Sequence, residues 1–320
     1  MLSSRRPVLL LIHGLLVAGT VACTVAPPPA PRRSTPPAPA IALADVLAAV
    51  RKAPAIRTLP ADLTPSLTTA GDDLGFDNDK CEAGPAADHV DACVFGDPAS
   101  STKVVLYGDS HAGMWLPALL EIARRRHWQL RSFGKPACPA AHLSVWNQQQ
   151  GRPFAECDRF RAYAEGQILA ERPGLVLVTS ESYAQKADRG VPITAAGWQA
   201  GLTGTLGTLR RSGARVVVIG DTPVLTESAP DCLAAHPKNV PACGTTRAAA
   251  TERVWNAADQ AAARATGSGY VSVLPWLCTA VCTPVIGNVL VYRNRFHLSA
   301  TYARLLNGVL EGALTQDRAQ

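Results

Sequence analysis

The stretch Lys103-Val-Val-Leu-Tyr-Gly-Asp-Ser-His-Ala112 decides the fold. Its first residues form an apolar run of the length of a buried strand, and a glycine turn ends that run. A segment with helical periodicity follows, from Ala112 to Arg126. A buried strand that passes through a tight turn into a helix is the first half of a βαβ unit, and it indicates a parallel sheet.

The same alternation continues to the C-terminus. Predicted strands are 129–133, 175–178, 215–219 and 270–274, and predicted helices are 158–171, 194–211, 247–265 and 299–314. Helices between parallel strands cover both faces of the sheet. We therefore predict an α/β protein with a three-layer α/β/α, flavodoxin-like arrangement around a central parallel sheet. Ligands of such sheets bind at the carboxyl ends of the strands.

The N-terminus is predicted to be an export signal, residues 1–23. Two arginines precede a mostly apolar run, Pro7 to Ala22, that is short for a membrane-spanning helix. The run ends in Ala22-Cys23, which is similar to a bacterial lipobox, although Thr20 stands where an aliphatic residue is usual. We expect a lipid on Cys23; ordinary cleavage nearby or an uncleaved anchor are the alternatives.

Three further segments are predicted after the signal. Residues 24–58 are a proline-rich linker followed by a short helix at 41–53, because repeated prolines cannot build a packed core. Residues 59–315 form the globular domain, and 316–320 form a tail.

Composition excludes some classes of function. The chain is 47% hydrophobic and 18% charged, which is enough apolar material for a sizeable core. Its formal charge of +6 is mild and scattered, so the sequence does not indicate a nucleic-acid partner. Such a charge suits acidic envelope polymers or a membrane surface.

Eight of the nine cysteines lie outside the predicted signal, and an even number in an exported chain indicates disulfides. Their spacing favours neighbour pairs: Cys81 with Cys93, Cys138 with Cys157, Cys232 with Cys243, and Cys278 with Cys282. Zinc between Cys278 and Cys282 is the alternative, but no second close Cys or His pair accompanies them. No metal and no cofactor is predicted.

Ser110 stands where the first strand ends and a helix begins. Free N–H groups and the positive end of the helix dipole lie at that place, so an oxyanion formed by attack of the serine would meet a ready donor. The alternative is ordinary, because Asp or Ser before a helix commonly serves as an N-cap.

The stretch Gly108-Asp-Ser-His-Ala112 resembles the first block of the SGNH (GDSL-like) hydrolases, and His297-Leu-Ser299 resembles their last block. The chain is most similar to SGNH domains that work with membrane acyltransferase-3 proteins. Residues that carry this likeness are Cys93-Val-Phe-Gly-Asp97, Leu106-Tyr-Gly-Asp-Ser-His-Ala112, Ala137-Cys-Pro139, Gly220-Asp-Thr-Pro223, Asp231-Cys232 and Tyr292 to Ala303. The likeness spans about Leu59 to Leu314 and implies the SGNH hydrolase fold.

The resemblance also implies roles for individual residues. Ser110 is the nucleophile and His297 its general base and acid. The backbone N–H of Ser110 binds the oxyanion, and Gly134 after the second strand is the candidate second donor. Thr179-Ser-Glu-Ser182 stands where the family has Gly-x-Asn, so the side-chain donor is unassigned. His111 is expected to be structural.

Asn294 is the main departure from the family pattern, because it occupies the position of the family's catalytic aspartate. An amide oxygen can accept a hydrogen bond from the histidine, but it cannot offset an imidazolium charge. In a serine protease, the change from Asp to Asn lowers the rate about ten-thousandfold. The sequence therefore predicts slow catalysis, recruitment of another acid, or lost catalysis.

Two functions remain open from the sequence. The first is an exported serine esterase or O-acyltransferase that acts on acyl, in particular acetyl, esters of envelope polysaccharide or glycolipid. The second is a weak or inactive SGNH module that binds acyl-glycan or docks on a membrane acyltransferase-3 protein. Both place the domain in the extracytoplasmic cell envelope, lipid-anchored to the outer face of the cytoplasmic membrane.

Overall fold

A computed structural model describes residues 40–76, 78–90, 93–182, 190–251 and 254–316. The predicted signal, the lipid site at Cys23, most of the proline-rich linker and nearly all of the predicted tail lie outside these residues. The fold described below starts at the helix that was predicted to precede the globular domain.

Twelve strands are described. They are β1 Val94–Gly96, β2 Lys103–Gly108, β3 Gln129–Gly134, β4 Trp146–Asn147, β5 Arg152–Pro153, β6 Leu175–Thr179, β7 Arg215–Ile219, β8 Thr245–Thr246, β9 Gly269–Val271, β10 Val281–Cys282, β11 Val285–Ile286 and β12 Val289–Leu290. Six of them form the central sheet in the order β1-β3-β2-β6-β7-β9, and the other six form two-stranded ribbons.

The central sheet is mostly parallel, as predicted. β2 lies in its middle, with β3 on one side and β6 on the other, and all three run in the same direction. The exception is β1, which pairs with β3 in antiparallel orientation at the edge. This short strand was not predicted, because three residues of mixed burial give no periodic signal.

Eleven α-helices are described. They are α1 Leu43–Lys52, α2 Asn78–Cys81, α3 Ser110–Gly113, α4 Leu116–Arg126, α5 Ala155–Glu171, α6 Ala195–Arg210, α7 Ala229–Ala235, α8 Arg247–Thr251, α9 Val254–Thr266, α10 Ala300–Leu305 and α11 Asn307–Gln316. Single 3₁₀ turns lie at Ala53–Ala55, Ala70–Asp72, Val240–Cys243 and Leu274–Trp276.

Two apolar cores lie on opposite faces of the sheet. Along β2, Val104 and Leu106 enter the core that also holds α1, α4, α10 and α11, whereas Val105 and Tyr107 enter the core shared with α5, α6 and α9. This alternation is the period of two along a strand. The three-layer α/β/α arrangement, consistent with the SGNH hydrolase fold, follows from it.

Helix α1 belongs to the globular domain rather than to the linker. Its Val46 and Val50 are buried in the larger core, so the predicted boundary at residue 59 lies after the first packed element. Two apolar residues four positions apart lie on one face of a helix and give it a side to bury.

Two predicted helices are interrupted. The helix expected from Ala112 to Arg126 divides into α3 and α4, because Pro117 starts a new helix readily but does not continue an old one. The closing helix divides at Leu306, where the side-chain amide of Asn307 donates to the carbonyl oxygen of Arg304. Among the described helices, none is long and apolar enough to cross a membrane.

Four disulfides tie surface segments to this frame. They join Cys81 to Cys93, Cys138 to Cys157, Cys232 to Cys243, and Cys278 to Cys282. These are the neighbour pairs expected from the spacing, and the bond between Cys278 and Cys282 leaves no thiolate there for zinc.

Candidate active site

Ser110 lies at the carboxyl edge of the sheet, at the first residue of α3. The strand before it ends at Gly108, where an added Cβ would come within 1.8 Å of the Thr179 carbonyl oxygen. Only glycine lets the chain turn this close to β6. The turn therefore delivers the serine to the edge of the sheet where ligands of parallel sheets bind.

Asp109 holds this turn from within. Its carboxylate accepts the backbone N–H of His111 at 2.9 Å and that of Glu181 at 3.0 Å. The first bond is an N-cap, and the second joins the turn to the loop after β6. Asp109 is buried, and burial raises its pKa to about 7. Its hydrogen bonds make it a structural cap of the turn.

His297 meets Ser110 across the edge of the sheet, with 2.8 Å between Nε2 and the serine Oγ. The two residues are 187 positions apart in the chain and come from opposite ends of the domain. His297 lies in a turn closed by the Arg293 N–H, which donates to the His297 carbonyl oxygen at 2.9 Å. The structure thus brings together the two residues that the sequence motifs single out.

Asn294 presents its amide nitrogen, not its oxygen, to the histidine. Its Oδ1 accepts the backbone N–H groups of Phe296 at 3.0 Å and His297 at 2.8 Å. Its Nδ2 lies 2.9 Å from His297 Nδ1. If the amide were reversed, its NH₂ group would face these two backbone N–H groups, and donors would oppose donors. The sequence-based expectation that the amide oxygen would accept a hydrogen bond from the His297 ring is therefore corrected, because that oxygen accepts the backbone N–H of His297 instead.

This arrangement fixes the tautomer of His297. Because Asn294 Nδ2 can only donate, His297 Nδ1 must accept, and a neutral ring then carries its hydrogen on Nε2. That hydrogen points at Ser110 Oγ. In this state the ring donates to the serine and does not accept its proton.

Electrostatics disfavour a charged His297 as well. Burial, then the neighbouring His111 and Arg293, lower the pKa of His297 to about 2. Its ring centroid is 5.1 Å from that of His111. A general base works best when its pKa lies near the ambient pH. Ser110 and His297 therefore have the distance of a serine–histidine pair, but the low pKa of His297 gives proton transfer from the serine a weak driving force.

His111 forms a buried pair with Asp221, with 2.6 Å between Nδ1 and Oδ1. Burial lowers the pKa of His111, but the charge and hydrogen bond of Asp221 outweigh it and raise that pKa to about 9. Asp221 also accepts the N–H and hydroxyl of Ser182. His111 thus joins the turn that carries Ser110 to the loop after β7.

The loop after β7 positions the turn that carries His297. Thr222 Oγ1 donates to the Phe296 carbonyl oxygen at 3.2 Å, and the Leu225 N–H donates to the Arg295 carbonyl oxygen at 2.9 Å. Arg295 Nε returns a bond to the Leu225 carbonyl oxygen at 2.7 Å. Residues 220–225 thus connect the turn around His297 to the sheet at β7.

A small cavity of about 20 Å³ lies beside Ser110. Its lining comprises Asp73, Leu74, Phe76, Glu82, Ser110, Gly113, Met114, Arg293, Leu298 and Ala300. Glu82 is 9% exposed, and burial raises its pKa to about 7 although Arg293 opposes the shift. Sequence reasoning missed Glu82, because it belongs to no quoted motif, and it assigned no role to Arg293, although that residue lies in the stretch Tyr292 to Ala303.

Gly134 lies opposite Gly108 in the register of β3 and β2. Its carbonyl oxygen accepts the Ala83 N–H at 2.8 Å, and the side chain of Glu82 covers its Cα, 3.2 Å from the place of a Cβ. The predicted oxyanion residue is therefore at the correct edge of the sheet, next to an unexpected carboxyl group. Among the described residues, no three His, Cys, Asp or Glu side chains are close enough to hold a metal ion.

The family model for the SGNH domain fused to AT3 domains matches residues 78–312. The chain belongs to this SGNH family. No curated protein matches it in sequence. The SGNH fold is also seen in the periplasmic domain of a lipopolysaccharide acetyltransferase from Salmonella ser. Paratyphi A. That domain is 16% identical to this chain, with a TM-score of 0.54, and the match covers 67% of this chain and 84% of that one.

A GDSL-like lipase from Bacteroides thetaiotaomicron is similar at a lower level. It is 12% identical with a TM-score of 0.42, over 67% of this chain and 88% of that one. The SGNH motifs seen in the sequence, Gly108 to Ala112 and His297 to Ser299, both lie inside the matched range.

Proposed function

We propose that this SGNH domain is an extracytoplasmic serine esterase or O-acyltransferase acting on acyl esters, in particular acetyl esters, of envelope polysaccharide or glycolipid. The observation that carries the proposal is the 2.8 Å contact between Ser110 Oγ and His297 Nε2. The family's fusion to acyltransferase-3 domains supports an acyl group as the unit transferred. The name of the Salmonella protein, a lipopolysaccharide acetyltransferase, agrees with a glycan substrate.

The reaction proceeds in two steps. Ser110 Oγ bonds to the ester carbonyl carbon while its proton passes to His297 Nε2, and the glycan oxygen leaves with that proton. Water or a sugar hydroxyl then attacks the acyl-serine and restores Ser110. His297 can accept the proton only when its own hydrogen lies on Nδ1, so the Asn294 amide must first give up its bond to that atom. This requirement makes the enzyme slow.

The cavity beside Ser110 supports a short acyl group. Its volume of about 20 Å³ is close to the space of one water molecule, and Phe76, Met114 and Leu298 are among its walls. The methyl group of an acetyl ester is of that size. Longer acyl chains would have to displace buried side chains.

Ester hydrolysis tests the proposal. The purified domain should cleave p-nitrophenyl acetate, and cleave the butyrate ester far more slowly. Ser110→Ala should remove this activity, whereas Ser101→Ala, an exposed serine before β2, should not. Wild-type turnover in Ser110→Ala protein would reject the assignment.

A second function is favoured by one observation, the amide nitrogen of Asn294 beside His297 Nδ1. An SGNH module with this tautomer can bind acyl-glycan or dock on a membrane acyltransferase-3 protein without performing chemistry. A fluorophosphonate probe separates the two functions. Labelling of Ser110 supports the enzyme, and absence of labelling in folded protein supports the binding module.

The extracytoplasmic location is supported by the four disulfides, which persist in oxidising compartments. Attachment through a lipid on Cys23 is part of the proposal and concerns residues outside those described. Cys23→Ala should release the protein into the medium or block its processing. Unchanged membrane association and mass would count against the anchor.

A further inference from the structure

A second cavity, of about 280 Å³, opens at the same edge of the sheet as Ser110. It is lined by Pro85, Pro136, Ala137, Trp146, Asn147, Gln148, Gln149, Phe154 and Glu181. Its size approaches that of small-molecule sites in proteins. None of these residues belongs to the SGNH motifs discussed above.

The cavity adjoins the turn that carries the nucleophile. Pro136 follows β3 and Glu181 follows β6, and these strands are the two neighbours of β2 in the sheet. The Glu181 N–H donates to the carboxylate of Asp109, the residue before Ser110. The wall of the cavity at Glu181 is therefore tied by a hydrogen bond to the turn that carries the serine.

The lining combines an aromatic surface with side-chain amides. Trp146 is partly exposed, and Phe154 is buried behind the opening. Asn147, Gln148 and Gln149 follow Trp146 along the rim. A sugar ring has an apolar C–H face that packs on an aromatic ring, and its hydroxyl groups pair with amides, which both donate and accept.

Charge at the cavity disfavours an anionic ligand. No arginine, lysine or histidine is among the described residues that line it. The ammonium group of Lys135 lies over the Phe154 ring and donates to the carbonyl oxygens of Gly84, Pro85 and Ala87 at 2.7, 3.0 and 2.9 Å. The described part of the lining therefore offers a phosphate or a uronate no cation, and an uncharged sugar fits it best.

The walls are held in place before any ligand arrives. Strands β4 and β5 pair as a ribbon that presents Trp146, and the Phe154 N–H donates to the Val145 carbonyl oxygen at 2.8 Å. A disulfide joins Cys138, which directly follows the lining residue Ala137, to Cys157, which lies shortly after the lining residue Phe154 in the sequence. Preformed walls reduce the ordering that binding would otherwise require.

We propose that this cavity is a subsite for an uncharged pyranose unit of the glycan, seated on Trp146 with its hydroxyl groups against the amide side chain of Gln149. The subsite gives the proposed esterase or transferase its sugar specificity, and to that extent it rests on the proposed function. Its binding is nevertheless measurable without any chemistry at Ser110.

The test uses Ser110→Ala protein and saturation-transfer NMR with methyl β-D-glucopyranoside, methyl α-D-galactopyranoside and methyl α-D-mannopyranoside. At least one should bind, and methyl β-D-glucopyranosiduronate should bind more weakly than its neutral counterpart. Adding Trp146→Ala should weaken binding by about tenfold, and Gln149→Ala by a few-fold, which is the usual effect of losing one aromatic anchor or one hydrogen bond. Trp146→Phe should restore part of the affinity.

Gln150→Ala is the matched control, because Gln150 is equally exposed and adjacent but does not line the cavity. Its affinity should equal that of the parent protein. The subsite is overturned if no neutral pyranoside binds, if Gln149→Ala and Trp146→Ala both bind like the parent, or if the uronate binds best. Sugar binding without hydrolysis of p-nitrophenyl acetate by wild-type protein would keep the subsite and reject the enzyme; hydrolysis without sugar binding would do the reverse.

Discussion

Asn294 differs from an aspartate by one nitrogen atom in place of an oxygen, and that atom lies 2.9 Å from His297 Nδ1. An aspartate could keep the two backbone bonds of Asn294 Oδ1 with one oxygen and accept the Nδ1 hydrogen with the other. The amide of Asn294 therefore determines the tautomer of the histidine and offers no negative charge to oppose the lowering of its pKa by burial, His111 and Arg293.

Asn294→Asp should accelerate acylation by roughly tenfold or more, a part of the ten-thousandfold effect of the corresponding exchange in a serine protease. The carboxylate raises the pKa of His297 and releases Nε2 to accept the serine proton. Stopped-flow acylation by p-nitrophenyl acetate measures this without interference from slow deacylation. Asn239→Asp, an exposed position with the same change of charge, should leave the rate unaltered. If both variants match the wild type, another residue orients His297.

Glu82 makes stability depend on pH. Its folded-state pKa of about 7 exceeds the ordinary value of 4.5, because the carboxyl group is buried. Between these values the folded state keeps a proton that the unfolded state has lost, so the free energy of unfolding falls as pH rises from about 4.5 to 7. Glu82→Gln removes this contribution.

Urea unfolding at several pH values measures the effect. Relative to wild type, Glu82→Gln protein should gain about 3 kcal/mol across this interval, the free-energy equivalent of the raised pKa. Exposed Glu227→Gln serves as the control and should track the wild type. A difference between Glu82→Gln and wild type that stays constant with pH would show that the carboxyl group is ionised throughout.

At the scale of elements, α10 fixes the turn that carries the histidine. Ser299, two residues after His297, is fully buried; its Oγ accepts the Tyr302 N–H at 3.0 Å and donates to the Leu290 carbonyl oxygen at 2.6 Å. One hydroxyl group thus begins the helix and ties it to β12.

Ser299→Ala should lower the free energy of unfolding by about 1–3 kcal/mol, through loss of the cap and an unpaired buried carbonyl group. Ester hydrolysis should fall as well, since the turn that carries His297 loses the hydroxyl group that joins it to β12. Thr194→Ala removes the N-cap of α6, a 3.0 Å bond to the Gly197 N–H, and should reduce stability while sparing turnover. Equal turnover in the two variants would contradict this prediction, because it would show that the cap at Ser299 does not affect His297. Thermal melts and p-nitrophenyl acetate assays give both quantities.

Elements with a strong local signal were predictable from the sequence. β7 at Arg215–Ile219 and β2 at Lys103–Gly108 are continuous apolar runs, so their existence and nearly their bounds follow from local pattern. β1 has no such pattern and forms only because β3 offers a free edge. The packing of α1 is likewise decided by distant partners, since an amphipathic helix does not specify what covers it.

The same division applies to the candidate site. Ser110 and His297 follow from short motifs whose order along the chain is known for the family. Glu82 and Asp221 reach the site through tertiary contacts between residues that are 28 or more positions apart in the sequence. A local sequence pattern does not predict contacts of this range. The direction of the Asn294 amide also depends on two backbone N–H groups and not on residue identity.

At the scale of the whole molecule, two apolar cores and four disulfides together stabilise the domain. The bond between Cys138 and Cys157 closes a separation of 19 residues, and that between Cys278 and Cys282 closes only 4. All four sulfur-bearing side chains are buried to a similar degree. The pair therefore offers a comparison in which loop length is the main difference.

Replacing Cys138 and Cys157 by serine should lower the free energy of unfolding by roughly 3 kcal/mol, and the same replacement of Cys278 and Cys282 by about 1 kcal/mol less, since a longer closed loop restricts the unfolded chain more. Urea denaturation of the two double variants measures the difference. An equal loss in both would mean that native packing around the sulfurs, rather than restriction of the unfolded chain, accounts for the effect. The wild-type protein treated with reductant should approach the sum of all four losses.

The separation of 187 positions between Ser110 and His297 has a consequence for the order of events in folding. Contacts between distant parts of a chain form late, because the intervening polypeptide must first be organised. Esterase activity should therefore return only in the slowest phase of refolding from denaturant, after secondary structure has recovered. During synthesis, the serine is added to the chain long before the histidine. We therefore expect no esterase activity until the C-terminal helices have packed on the domain.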